Sequence, residues 1–448
     1  MKRVAFIAYY FPPLGGGGVQ RSVKFVKYLP SFGYEALVVT GPAQAAGLWS
    51  PADPGLVDDV APETRVERVD APEPPEPSRL RFRAERWAGL PRQFSRWWVD
   101  GVAQVGAAVG GDIDLVFASM SPFETATAAA RLAERLRKPW VADLRDPWAL
   151  DEVSVFPTAA HRRLELRRME RSLASASAVV MNTDEAAKAV LEAVPSLASK
   201  PVVTIPNGYD DDDFVGPVPA RGDSAFRIVH AGFAHTEPVA GRASRMLGGA
   251  VRGYDLMSRS HVHLLEALNV LFQRRPELRG TVEVHLAGQI SQGERERIAA
   301  AHVRVHGFLS HSDTIGLLRS ADLLFLPMHD LPAGRRARTV PGKTYEYLAS
   351  RRPILAAVPD GNARDLLAAS GSAFLSRPAD AGRMAQILED QIDRARGGEQ
   401  APEPDSRLLA RFERRHLTAQ LAKTFDGVLG EPAAAAAPLA LTTFGEPA

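Results

Sequence analysis

The fold class predicted by this sequence is α/β: two doubly wound parallel sheets, built in succession and facing each other across a cleft. Three observations predict it. Short apolar runs alternate with helix-period segments almost from end to end. The alternation pauses in a turn-rich, polar stretch near 206–224 and then restarts. The two series are similar in length, and 448 residues at roughly 150 per domain allow two or three domains.

Val4–Ala8 reads as the first buried strand. It runs through Tyr9-Tyr10-Phe11-Pro12-Pro13 into Gly15–Gly18 and then a helix, on which Val19, Val23, Val26 and Leu29 recur at helical spacing. Ala36–Thr40, Leu115–Ala118, Trp140–Ala142, Val179–Met181 and Val202–Ile205 continue the strands, with helices near Thr125–Leu136 and Arg162–Leu173. Four prolines between 72 and 77 make that stretch an extended loop. The second series has strands at Phe226–Ala231, Val282–Ala287, Leu323–Leu326, Ile354–Ala357 and Ala373–Leu375. Its helices lie near His261–Phe272, Thr314–Leu318, Thr344–Ala349 and Met384–Ile392. Leu408–Val428 reads as one long helix, and the Ala- and Pro-rich end after it as a disordered tail. The expected domains are therefore 1–206, a linker at 207–224, 225–405, a crossing helix at 406–428 and a tail at 429–448. Parallel strands deliver their following loops to one edge, so ligands are expected where the carboxyl ends of the two sheets face each other.

Composition removes several classes of function. With 54 basic and 53 acidic residues the net charge is +1, which gives no global pull toward nucleic acid. The absence of Cys excludes thiolate metal sites, cysteine nucleophiles and disulfides. No apolar run approaches the length of a membrane span, and Val4–Ala8 is too short for the apolar core of a signal peptide, so a cytoplasmic protein is expected. Residues 79–98 interleave Arg81, Arg83, Arg86, Arg92 and Arg96 with Phe82, Trp87, Phe94, Trp97 and Trp98. This mixture suits the inner face of a membrane, or else arginine stems laid over aromatics packed under the first sheet. The Asp210–Asp213 run is expected to be a solvated linker rather than a cation site.

Four segments carry candidate chemistry. Gly16, Gly17 and Gly18 before a helix allow close backbone approach to a ligand, and the helix start offers free N–H groups. The dinucleotide fingerprint fails there, because Gln20 occupies its third glycine position and the second strand ends in Thr40-Gly41 with no acid for a ribose. The alternative is a connection that only permits tight packing. Asp143-Leu144-Arg145-Asp146-Pro147-Trp148 places charges at a strand's carboxyl end, where a carboxylate can orient a hydroxyl or take its proton and Arg145 can clamp an anion. An Asp–Arg pair that merely holds the loop is the competing reading. Arg259-Ser260 precedes the helix at His261, combining a cation with a helix N-terminus as a diphosphate would require. Lys343 and Glu346 share a helical face and can reach a phosphate and ribose hydroxyls respectively, or form an exposed ion pair.

The segment Pro341–Ala356, with Glu346 followed by small and apolar residues and then Arg351-Arg352-Pro353 before a strand, resembles the donor-binding motif of retaining, glycogen-synthase-like family 4 glycosyltransferases. Arg351 stands where that family more often has Gly. Tyr9–Gly18 resembles its N-terminal glycine loop, Asp143–Trp148 a segment of one branch, and Pro206-Asn207-Gly208-Tyr209 its inter-domain turn. Leu264-Leu265-Glu266-Ala267-Leu268 is similar to a family helix, which puts Arg259 where a diphosphate-binding Lys usually stands. The resemblance implies the GT-B fold, two facing Rossmann-like domains with a C-terminal crossover helix. It also implies transfer of a sugar from a nucleoside-diphosphate sugar to an acceptor hydroxyl with retention, without metal or other cofactor. The site it implies has Arg259, Lys343 and Asp143 as catalytic residues, with Glu346, Gly232, Arg242, Gly361 and Asn362 on the donor. Gly16–Gly18, Arg145 and Asp146 would face the acceptor, which a membrane contact through 79–98 would make lipid-linked. Cell-envelope polysaccharide or small-molecule glycosides are the expected products. A GT-B epimerase or phosphorylase and a non-catalytic peripheral-membrane scaffold are the alternatives.

Three departures stand out. Arg338 occupies the position of the family's first glutamate, Asp360-Gly361-Asn362 replaces a Gly-Gly loop, and Ser121-Pro122-Phe123 follows the strand where a histidine is common. An insertion at 235–257 brings Arg242, Arg245 and Arg252 as further candidates for phosphate contact.

Overall fold

The computed structural model describes residues 1–44, 51–69, 71–90, 92–233, 244, 246–251, 253–255, 257–290 and 292–430. Strands β1 Lys2–Ala8, β2 Tyr34–Thr40, β3 Val66–Arg68, β4 Leu115–Met120, β5 Trp140–Leu144, β6 Ala178–Met181 and β7 Val202–Thr204 form the first sheet, in the order β3-β2-β1-β4-β5-β6-β7. Strands β8 Phe226–Ala231, β9 Val282–Ala287, β10 Val303–Gly307, β11 Leu323–Pro327, β12 Ile354–Ala357 and β13 Ala373–Ser376 form the second, in the order β10-β9-β8-β11-β12-β13. Every pair of neighbouring strands is parallel. The expected two-sheet GT-B architecture is therefore present. Chain order reverses between β1 and β4 and again between β8 and β11, and a crevice opens at each reversal.

Near-continuous apolar runs make the central strands, because helices cover both faces of each sheet. Val4, Phe6 and Ala8 point to one side of β1 and join Phe117 and Val23; Ala5 and Ile7 point to the other and meet Ala128, Ala129 and Leu132. The C-terminal element crosses back as expected but is not one helix. Ser406–Ala410 stays with the second domain, and Arg414–Leu429 inserts Leu417, Leu421 and Phe425 into the core of the first. The break has a cause: Tyr209 N–H donates to Phe412 O (3.1 Å) and Arg414 N–H to Tyr209 O (2.8 Å), so the two inter-domain strands of chain pair with each other. A Cβ on Gly208 would overlap the Phe412 carbonyl, which is why glycine sits in that turn.

Two expectations are corrected here. Asp210–Asp213 is not a solvated linker. Lys24, buried on the Gly17–Tyr28 helix, reaches Asp59 (2.8 Å), Asp210 (2.7 Å) and Asp213 (2.8 Å), while His311 Nε2 meets Asp213 at 3.0 Å. The second concerns 79–98, where the packed-aromatic reading holds for the second half of the segment. Trp98 is fully buried and Phe94 and Trp97 pack on the same core, against Tyr9. The Arg79–Ala88 helix is peripheral, with Leu80, Trp87 and the following Leu90 exposed. No helix among the described residues is long and apolar enough to cross a membrane. Residues 431–448 and Arg242, Arg245 and Arg252 lie outside the described residues.

Candidate functional site

In the second domain the crevice is lined by the loops after β8 and β11. β8 ends in His230-Ala231 and is followed by Gly232, and β11 ends in Pro327 and is followed by Met328-His329. Across from them starts the Lys343–Ala349 helix. Its Tyr345, Tyr347 and Leu348 are buried, and the Tyr347 hydroxyl accepts the Ala231 N–H at 2.8 Å, which fixes the helix to the end of β8. Lys343 Nζ consequently lies 3.2 Å from His230 Nε2. His230 Nδ1 lies 2.8 Å from the Phe325 carbonyl, which can only accept, so Nδ1 carries the proton and Nε2 is left to accept from the ammonium. Burial, then the charges of Lys343 and His261, hold the His230 pKa well below its ordinary value, so the ring stays neutral.

Burial and the nearby Arg259 guanidinium push the Lys343 ammonium down to about 7, against the opposing pull of Glu346. Arg259 ends the turn Met257–Arg259 ahead of the Val262–Arg274 helix, and among the described residues no carboxylate lies within ion-pair distance of it. His230, Phe233, Arg259, Pro327, Pro341 and Lys343 line one narrow recess at the cleft. Gly232 makes room for the Lys343 ammonium: its φ is +132°, and a Cβ there would overlap Nζ. Two like charges held close are unfavourable alone and favourable around a dianion.

The structure thus brings Arg259, Lys343 and Gly232 together. Glu346 follows on the same helix, toward His311, Asp213 and Arg414; burial foremost raises its carboxyl pKa. Gly361 and Asn362 lie against Ala337. Ala337 N–H donates to Asp360 O (2.7 Å) and Asn362 N–H to Ala337 O (3.4 Å), so the pair anchors the loop before the Lys343 helix. Asn362 Oδ1 is buried with no partner among the described residues. Arg351 has a φ of +52°, a left-handed backbone at the position where Gly is commoner in the motif.

On the first domain, Arg145 donates to the Gly18 and Met120 carbonyls, joining the glycine loop to the end of β4. Gly16 (φ +91°) precedes the Gly17–Tyr28 helix, and Gly17 has open space where a side chain would be. Asp146 is exposed beside them. Asp143, expected to act on a hydroxyl, is corrected to a structural role. It is 0 % exposed and receives Arg21 Nε (2.9 Å), Arg21 Nη2 (2.8 Å) and Ser119 Oγ (3.1 Å). Arg21 in turn donates to Ile205 O (2.9 Å) and Pro206 O (2.8 Å), so the pair holds the exit toward the second domain.

Sequence reasoning missed His230, whose only signal was a polar residue at the end of an apolar strand. It also missed Asp151 and Glu152, which follow the 143–148 segment. Burial, reinforced by Asp146 and Glu152, pushes the Asp151 carboxyl up to about 7.

Residues 15–213 match the family model "Glycosyltransferase Family 4", and residues 256–393 match "Glycosyl transferases group 1". Solved structures agree on the fold. Anabaena Alr3699/HepE in complex with UDP and glucose is 17% identical, with TM-score 0.59 over 95% of this chain and 100% of that one. A glycosyltransferase from Rickettsia africae is 14% identical, with TM-score 0.60 over 96% and 98%. A putative UDP-N-acetylglucosamine 2-epimerase from Listeria monocytogenes is 15% identical, with TM-score 0.56 over 97% and 98%. No curated protein matches the chain. With one match on each side of the cleft, the chain belongs to the family 4 glycosyltransferases of GT-B fold.

Proposed function

We propose that this glycosyltransferase moves a hexosyl group from a uridine-diphosphate sugar to an acceptor hydroxyl, with retention at the anomeric carbon. The observation that carries the donor reading is the pair of cations Arg259 and Lys343 lining one recess, with Gly232 leaving room for the ammonium. The uridine base is supported by likeness to chains whose structures were determined with UDP. When the glycosidic bond breaks, negative charge develops on the diphosphate. Arg259 and Lys343 stand where they can neutralise it without reorganising. Glu346 accepts from ribose hydroxyls. The acceptor enters from Gly16–Gly18, Arg145 and Asp146, and closure of the cleft keeps water off the donor. No metal or cofactor is assigned a step, and cell-envelope polysaccharide or a small-molecule glycoside is the product class.

Melting the protein with UDP, GDP, TDP and ADP tests the reading, since a ligand that binds only the native state raises its melting point. UDP is expected to give the largest rise, and no rise with any of the four would remove the donor assignment. Glu346→Ala is expected to weaken UDP binding by about tenfold, the effect of losing one charged hydrogen-bonding group; calorimetry would measure it.

A second reading is favoured by Leu80, Trp87 and Leu90, exposed among Arg81, Arg83 and Arg86. We propose that this face rests on anionic lipid and that the acceptor is lipid-linked. Co-sedimentation with vesicles containing phosphatidylserine should be strong in low salt and lost in Leu80→Glu/Trp87→Glu; equal recovery of both proteins would refute it.

A further inference from the structure

Beside the diphosphate pocket lies a second set of groups that the donor contacts above do not use. Glu152, from the loop after β5, is 8 % exposed, and His329, from the loop after β11, is 2 % exposed. Among the described residues Glu152 Oε2, His329 Nε2 and the Tyr254 hydroxyl are all buried without a hydrogen-bond partner. They converge on one place. The Tyr254 and His329 rings are 5.0 Å apart, and His329 Nε2 stands 3.6 Å from Glu152 Oε1, beyond hydrogen-bond length.

Each of the three is held independently of what it faces. The Arg338 N–H donates to Glu152 Oε1 at 3.0 Å, while the Arg338 side chain donates to Leu150 O at 2.8 Å. Asp255 and Asp330 pair backbone to backbone, and the Asp330 N–H donates to Ser258 Oγ at 2.7 Å, which fixes Tyr254 and His329 against the turn that carries Arg259. Burial alone would raise the Glu152 carboxyl, but His329 and the Arg338 amide outweigh it and keep it below the ordinary range. A buried polar atom without a partner forfeits its hydrogen bond with water, so three of them in one cleft are unfavourable unless something hydroxylated completes them.

We propose that Glu152, His329 and Tyr254 form the subsite for the sugar of the donor, one that takes an uncharged hexose and rejects a uronic acid. This inference rests on the donor reading above. A hexose hydroxyl donates to Glu152 Oε2, and further hydroxyls pair with the His329 ring nitrogen and the Tyr254 hydroxyl. A carboxylate at the sugar's C6 would meet the negative charge of Glu152, whose carboxyl stays below its ordinary range. Because Glu152 belongs to the first domain and His329 and Tyr254 to the second, the subsite is complete only with the cleft closed.

Calorimetry with UDP, UDP-glucose and UDP-glucuronate separates the outcomes, using wild type, Glu152→Gln and Tyr254→Phe. Tyr254→Phe guards against misfolding, since its hydroxyl holds no described partner. Wild type should bind UDP-glucose more tightly than UDP and UDP-glucuronate more weakly than UDP-glucose. Both variants should bind UDP within about twofold of wild type and lose on the order of tenfold in the UDP-glucose increment. Glu152→Gln should also narrow the glucose-to-glucuronate ratio by about tenfold. Variants that keep the full increment overturn the subsite, as do variants that lose UDP itself in proportion. A wild type that binds none of the three compounds overturns the donor reading, and the subsite with it.

Discussion

Replacing Lys343 with Ala is expected to lower turnover by about 10²- to 10³-fold, the range for removing one preorganised group that stabilises developing charge. The size follows from how the ammonium is kept. Neutral His230 accepts from it at 3.2 Å without supplying a counter-charge, so its charge remains available to a bound diphosphate. Lys343→Arg should not restore the rate. Even a Cβ on Gly232 would overlap the Lys343 ammonium, and a planar guanidinium is broader than an ammonium and aims its donors differently. The same arrangement dictates a pH dependence. The Lys343 pKa is about 7 in the free protein, and a bound diphosphate raises it, so binding above that pH takes up a proton. UDP affinity should therefore fall as pH rises above about 7, by up to tenfold per unit, until the pKa of the complex is passed. In Lys343→Ala that slope should disappear. Calorimetry from pH 6 to 9 reads both effects, and an unchanged slope in the variant would assign the proton elsewhere.

Asp143→Ala is expected to destabilise the protein by about 3–5 kcal/mol, the cost of leaving a buried charge unpaired. Arg21, itself 0 % exposed, would lose the carboxylate that receives Nε and Nη2, and Ser119 would lose its acceptor. Replacing both charges with Leu should recover much of the loss, because the pair is desolvated on both sides and apolar side chains carry no such penalty. Urea denaturation reads the difference. A group that took the acceptor's proton would behave differently: its Asn variant would stay folded and lose turnover alone. Normal stability for Asp143→Ala would return Asp143 to the catalytic set.

Much of the fold was legible because periodicity is local. Phe226–Ala231, Val282–Ala287 and Ile354–Ala357 have the same bounds in the structure as in the sequence reading. The misses share a physical cause. β10, Val-Arg-Val-His-Gly, lies at the sheet's edge with alternate residues exposed, so no apolar run marks it. The Arg79–Ala88 helix turns Leu80 and Trp87 to solvent among its arginines, so no core-facing stripe announces it. The break at 411–413 arises from backbone bonds to Tyr209, some two hundred positions away in sequence.

The candidate site divides along the same line. Arg259, Lys343 and Glu346 were found because a helix start and a helical face are short-range features. By itself the sequence determined two successive parallel α/β domains, the glycines and the cation-bearing helix starts, since each depends on residues within a few turns of one another. The tertiary structure alone decided which charges are consumed and which remain available. Asp143 is neutralised by Arg21, 122 positions earlier, and Asp210 and Asp213 by Lys24, whereas Arg259 and Lys343 meet across the switch point of the second sheet. Whether a charge is spent or free depends on the partner that folding brings to it, and no local pattern carries that information.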